Sequence, residues 1–141
     1  LLDNLDAHLF GSALDKVFIL IGTNDIGKEI PQSETLENLE GVIQKISREY
    51  PLAQIQLLSV LPVNEGEEYK GTVYLRTNGK IQDLNQAYCQ LANAYMNVQF
   101  IDLYDAFLDE GGQLRPDYTT DGLHLTIAGY AALSKALQET L

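Results

Sequence analysis

The sequence predicts an α/β fold in which a parallel sheet carries helices on both faces. Three apolar runs rich in β-branched residues, at 17–21, 55–61 and 98–103, have the length and composition of strands buried on both sides. Between them, apolar residues recur at helical spacing over 36–50 and 81–95. Strands that alternate with helices in this way are typical of a parallel sheet built from right-handed crossovers.

Capping and stop signals bound the predicted helices. Ser33 is expected to cap the helix that contains Leu36, and Pro51 to end it. Thr126 is expected to cap the last helix. The apolar positions of that last helix are expected to share one inward face; they are Ile127, Tyr130, Leu133, Leu137 and Leu141.

Three other segments complete the prediction. Residues 62–76 are polar and contain glycine, which predicts a surface loop over one end of the sheet, and a helical turn is expected over 106–109. Residues 3–14 have helical spacing, so the chain starts with a helix where a doubly wound domain usually starts with a strand. We therefore expect a single domain over 1–141 that lacks its first strand.

Composition limits the classes of partner. The formal net charge is −11 at pH 7 and the sequence pI about 4.4, a field that repels phosphate backbones, so nucleic acid is not an expected partner. No apolar stretch is long enough to span a membrane. Cys89 is the only cysteine, and its helical setting predicts a buried, inert thiol. Because the chain opens without a signal-peptide pattern, a cytoplasmic location is expected.

The first motif with chemical potential is Gly22-Thr23-Asn24-Asp25, directly after the first apolar run. In parallel sheets, functional groups gather beyond the carboxyl ends of the strands. Gly22 allows a sharp turn, and the Asn24 amide donates hydrogen bonds without carrying charge, which suits an oxyanion. Asn24 and Asp25 are equally common as turn caps, so the tetrapeptide alone leaves both interpretations open.

The second motif is Asp121-Gly122-Leu123-His124, in the loop before the last helix. A carboxylate and an imidazole at this spacing can meet through a hydrogen bond, with Gly122 letting the chain fold back. The carboxylate would then fix the tautomer of His124 as that ring accepts a proton from a nucleophile. A helix-entry loop with a polar histidine is the alternative. Asp121, His124 and Asp117 would make a thin ligand set, so no metal is expected.

Together the two motifs are far more specific than either one alone. The GTND sequence after a strand, followed by YTTDGLHLT at 118–126 and Gly129-Tyr130, resembles the SGNH (GDSL-like) hydrolase superfamily. More narrowly, it looks like the branch of small bacterial acylhydrolases similar to platelet-activating-factor acetylhydrolase subunits. The resemblance covers essentially the whole chain, including SVLP at 59–62. It implies a three-layer, flavodoxin-like fold.

The resemblance also implies roles for individual residues. The oxyanion-hole asparagine of the family corresponds to Asn24, its catalytic aspartate and histidine to Asp121 and His124, and Gly22 and Asp25 would support the site. The family's nucleophilic serine, in a Gly-Asp-Ser block on the first strand, and its oxyanion-hole glycine have no counterpart in these residues. We expect both to lie upstream of residue 1.

No serine of the chain is a good substitute for that nucleophile. None lies in a Gly-x-Ser-x-Gly or Gly-Asp-Ser sequence; the serines are Ser12, Ser33, Ser47, Ser59 and Ser134. Ser59 stands among apolar neighbours, which predicts a hydrogen-bonded core hydroxyl.

The resemblance implies an ester hydrolase for small or medium acyl groups that works through an acyl-enzyme. It needs no metal or organic cofactor, and its partner is a small-molecule ester. Relatives in this branch often form homodimers, and the sequence does not decide the oligomeric state. If the 141 residues were the complete chain, the alternative would be a non-catalytic α/β fragment or binding module, because no acyl-enzyme could form.

Overall fold

A three-stranded parallel sheet forms the centre of the computed structural model, which describes residues 16–140. The strands β1 (Lys16–Ile19), β2 (Gln54–Leu58) and β3 (Val98–Ile101) lie in the order β1-β2-β3, with Val17 opposite Ile55 and Ile55 opposite Val98. The predicted parallel α/β sheet is thus confirmed. The predicted helix over 3–14 and Leu141 lie outside the described residues.

All three strands are shorter than the apolar runs that predicted them. After β2 the chain leaves the sheet while it stays buried, because side chains replace the strand as hydrogen-bond partners. The backbone N–H of Val60 donates to Asn85 Oδ1 at 2.6 Å, and that of Val63 donates to Asn78 Oδ1 at 2.8 Å. An apolar run therefore reports burial, which here extends beyond the paired backbone.

One face of the sheet is covered by α2 (Gln32–Glu49) and α4 (Asn78–Asn93). The predicted Ser33 cap is wrong: α2 starts two residues early, with Pro31 at the cap position, because the carbonyl of Pro31 accepts the first bonds, from the N–H groups of Glu34 and Thr35. Cys89 is half-buried, not buried as predicted, because it lies at the flank of the stripe that α4 turns to the sheet.

The other face is covered by α5 (Ile127–Thr140), so the helices lie on both faces as predicted. Thr126 caps α5, since its Oγ1 accepts from the Gly129 N–H at 3.2 Å. Leu133 and Leu137 pack inward, but Ile127 and Tyr130 are 89% and 60% exposed, which corrects the predicted face. Their turn lies beyond the strands and contacts the 3₁₀ turn Pro116–Tyr118 instead.

Segment 62–76 is more ordered than the predicted loop. It contains a 3₁₀ turn (Glu67–Tyr69) and the short helix α3 (Lys70–Val73), and Val63 and Val73 are buried. A second unpredicted helix, α1 (Thr23–Gly27), follows β1. Helices of one turn are too short to show apolar periodicity, so the sequence carries no signal for them. Over residues 16–140, no helix is long and apolar enough to cross a membrane.

Candidate active site

The Gly22 turn starts the site at the carboxyl end of β1. Gly22 has φ 125°, and a β-carbon there would lie 2.6 Å from the Tyr88 hydroxyl oxygen, so only glycine fits. Tyr88 donates to the Ile21 carbonyl at 3.1 Å. Burial, helped by the charge of Asp25, raises the pKa of Tyr88, which keeps that donor protonated. The turn is thereby held by both its backbone and its packing.

Asn24 and Asp25 point to different neighbours in the first turn of α1. Asp25 Oδ2 accepts from the Thr35 hydroxyl at 2.9 Å, so this carboxylate ties the turn to α2. Asn24 is exposed, and its Oδ1 accepts from Arg76 Nη2 at 3.4 Å. Since a guanidinium has donors only, the amide oxygen must face Arg76 and the amide nitrogen must point elsewhere.

The loop that carries Asp121 and His124 folds around the aspartate. Asp121 Oδ2 lies 2.7 Å from His124 Nδ1, the contact that the spacing predicts. Asp121 Oδ1 accepts from the backbone N–H groups of Leu123 and His124 at 2.9 and 2.7 Å. Thr119 closes the loop, because its hydroxyl accepts from the Gly122 N–H at 3.0 Å and donates to the His124 carbonyl at 2.7 Å.

This arrangement decides the charge of Asp121 and the tautomer of His124. Partial burial alone would raise the pKa of Asp121, but the hydrogen bonds from the His124 ring and from the two backbone N–H groups outweigh it and lower the pKa to about 2. The carboxylate is therefore ionised at neutral pH and only accepts. The ring nitrogen Nδ1 must then carry a proton, which leaves Nε2 as the nitrogen that can accept one.

A cavity of about 220 Å³ joins the two motifs. His124 and Thr23 both line this cavity. The loop over residues 121–124, called the base loop below, and the turn after β1 therefore open into the same space, with Asn24 one position beyond Thr23. Its other walls are mainly apolar, and include Leu20, Leu61, Leu125 and Leu133. Such a space suits an uncharged organic group better than an ion.

Ser59 is the core hydroxyl that the sequence predicts. It is fully buried, and its Oγ accepts from the Leu103 N–H at 2.8 Å. Of the other serines, Ser47 accepts from Asn97 on the surface of α2, Ser33 lies in the first turn of that helix, and Ser134 lies in α5. Ser12 is outside the described residues. Among residues 16–140, no serine joins the His124–Asp121 pair.

Sequence reasoning missed the side chains that hold the motifs in place. Arg76 and Thr119 bond to backbone or side-chain groups of the two motifs, and the Tyr88 hydroxyl donates to the Ile21 carbonyl directly before the first motif. Arg76 is the only arginine of segment 62–76, but a single cation in a polar stretch does not predict a contact with residues 52 positions away. Only the folded chain brings them together.

The sheet, its flanking helices and the solved structures that it resembles define the chain as an SGNH-type α/β protein. A model of the GDSL-like lipase/acylhydrolase family matches residues 1–132. This chain therefore belongs to the GDSL-like lipase/acylhydrolase family, as the resemblance predicted.

This chain spans only part of the length of each relative that it matches. A structure from Streptococcus pneumonia, described as a candidate platelet activating factor, has a TM-score of 0.92 and 61% identity, over 99% of this chain and 65% of that one. An Escherichia coli N-acylneuraminate cytidylyltransferase is 35% identical over 87% of this chain and 27% of that protein. The human platelet-activating factor acetylhydrolase IB subunit alpha2 is 31% identical over 89% of this chain and 51% of that protein.

Proposed function

We propose that the whole protein is a carboxylic-ester hydrolase that works through an acyl-enzyme, with His124 as general base and acid. The observation that carries this proposal is the 2.7 Å contact between His124 Nδ1 and an ionised Asp121. Membership of the acylhydrolase family and the likeness to an acetylhydrolase subunit support the reaction class. The nucleophile is proposed to be a serine outside these 141 residues.

In the first half-reaction, His124 Nε2 takes the proton of the serine hydroxyl while the serine oxygen bonds to the ester carbonyl carbon. The carbonyl oxygen becomes an oxyanion, which the Asn24 amide N–H groups stabilise. When the tetrahedral intermediate collapses, the bond to the leaving oxygen breaks, and His124 returns the proton to that oxygen. The alcohol leaves and the acyl group stays on serine.

In the second half-reaction, water replaces the serine. His124 takes a proton from the water, whose oxygen attacks the acyl carbon, and the acid is released as serine regains its proton. Asp121 keeps Nδ1 protonated and stabilises the imidazolium in both halves. The chemistry needs no metal or organic cofactor, so activity should survive EDTA.

The test is hydrolysis of a short-chain aryl ester, such as an aryl acetate, by the full-length protein. His124→Ala should lower kcat by about 10²–10⁴-fold, the usual contribution of a positioned acid–base group. His8, the other of the two histidines in the chain, provides the matched control, and His8→Ala should keep full activity. An unchanged kcat in His124→Ala would refute the assignment. Light scattering of the same protein tests whether it forms the homodimer that is common among relatives in this branch.

A further inference from the structure

Arg76 lies just after α3 and contacts the turn after β1. Its Nε–H lies 3.1 Å from the Thr23 carbonyl oxygen and 3.2 Å from Thr23 Oγ1, and its Nη2 donates to Asn24 Oδ1 at 3.4 Å. Its Nη1 donates to the carbonyl oxygens of Thr72 and Val73 at 3.1 and 3.4 Å. All three guanidinium nitrogens therefore bond to protein groups. Through these bonds the side chain joins segment 62–76 to the turn after β1.

We propose that Arg76 is a positioning residue that orients the Asn24 amide for the oxyanion. This inference rests on the proposed function, in which Asn24 is the donor. An asparagine amide can rotate by half a turn, which exchanges its oxygen and its nitrogen. With Arg76 in place, the exchanged form would set the amide N–H groups against a cationic donor that has no acceptor. Arg76 thus keeps the amide nitrogen of Asn24 turned away from itself and free to donate.

The charge of Arg76 adds to this orientation. A guanidinium next to the amide oxygen draws electron density from the amide nitrogen, which makes its N–H groups stronger donors. Since the oxyanion exists only in the transition state and intermediates, a stronger and correctly oriented Asn24 donor favours kcat over substrate binding.

The guanidinium of Arg76 packs directly against Gly27 in α1. A β-carbon at Gly27 would lie 2.7 Å from Arg76 Cζ and 2.8 and 3.0 Å from its terminal nitrogens. Any side chain at this position would push the guanidinium off the turn. Because the atoms that would be displaced are the far end of a flexible side chain, Gly27→Ala should move Arg76 and leave the backbone in place.

Segment 62–76 also contacts the base loop. A β-carbon at Gly122 would lie 2.5 Å from Tyr69 Cβ, and the Asn64 N–H donates to the Gly122 carbonyl at 2.9 Å. The segment that carries Arg76 is therefore packed against the loop of Asp121 and His124. Through Arg76, one short stretch of chain sets the amide donor relative to the base.

A double-mutant cycle on the full-length protein tests this role with an aryl acetate. Arg76→Ala should lower kcat by roughly 10–100-fold with little change in KM, because a misplaced donor weakens transition-state binding. Asn24→Ala should lower kcat by about 10²–10³-fold. If Arg76 acts through Asn24, the double variant should be no slower than Asn24→Ala alone. Arg48→Ala, an exposed arginine in the last turn of α2, is the control and should retain full kcat.

Gly27→Ala carries the same test without removing the arginine, and still applies if Arg76→Ala does not fold. It should lower kcat when Asn24 is present and have no further effect in Asn24→Ala, with thermal unfolding showing that each variant is folded. If the losses in kcat multiply in the double variants, or if Arg76→Ala keeps full kcat, the positioning role of Arg76 is wrong, while the proposed role of Asn24 stands. Full kcat in Asn24→Ala would instead show that the proposed oxyanion donor is wrong, and the positioning role with it.

Discussion

Replacing Asp121 with asparagine tests the proposed mechanism at its most sensitive contact. Asp121 Oδ1 accepts hydrogen bonds from the backbone N–H groups of Leu123 and His124, and these two donors require an oxygen at that position. The new amide must therefore place its nitrogen where Oδ2 was, 2.7 Å from His124 Nδ1. Because that nitrogen only donates, Nδ1 must accept, and the ring proton moves to Nε2. The base then has no lone pair to offer the nucleophile.

The size of the loss follows from how well the pair is shielded. In a buried serine triad the same substitution costs about 10⁴ in kcat, or about 5.4 kcal/mol at 1.36 kcal/mol per tenfold. Here the side chain of His124 is 73% exposed and that of Asp121 32% exposed. Water can then bind the ring in either tautomer, so we expect a smaller loss, about 10²–10³-fold.

Initial rates of aryl acetate hydrolysis by the full-length protein measure this loss. Asp117→Asn is the matched control, because it makes the same change of charge nearby on a carboxylate that pairs with Arg115. That control should change kcat/KM less than twofold. If Asp121→Asn kept more than half of the wild-type kcat/KM while His124→Ala was inactive, Asp121 would not be the residue that orients the base.

Three further predictions concern stability. The pKa of Asp121 is lowered from 3.8 to about 2, so the stability that its carboxylate contributes is present above pH 3.8 and is lost as pH falls through about 2. The free energy of unfolding should therefore decline less steeply with falling pH over this window in Asp121→Asn than in the wild type, and equal slopes would contradict the assignment. Ser59→Ala leaves the buried Leu103 N–H without a partner and should cost about 1–3 kcal/mol in urea unfolding, yet retain kcat; loss of kcat in folded protein would reopen Ser59 as a nucleophile. In Gly22→Ala the new β-carbon would clash with the Tyr88 hydroxyl, and the backbone would be strained at its positive φ. The variant should lose more than about 1 kcal/mol of unfolding free energy, and an unchanged Tm would argue against this turn geometry.

The chemistry-bearing residues could be predicted because short-range signals specify them. Apolar runs and helical spacing depend on local residue order, so the parallel α/β sheet and the Thr126 cap followed from the sequence. Asp121 and His124 are three positions apart in a glycine-containing loop, so their contact is also a local property. The catalytic roles of these residues and of Asn24 remain proposals.

The fold class, the family motifs and the pairing within the 121–124 loop could all be read from the order of the residues. The contacts that hold the motifs in place could not: they are the packing of Arg76 against Gly27, its bond to Asn24, and the packing of Tyr69 against Gly122. The exposure of Ile127 depends in the same way on where α5 begins relative to the sheet. The physical reason is the same throughout, since contacts between distant segments depend on shape and packing that no local pattern records.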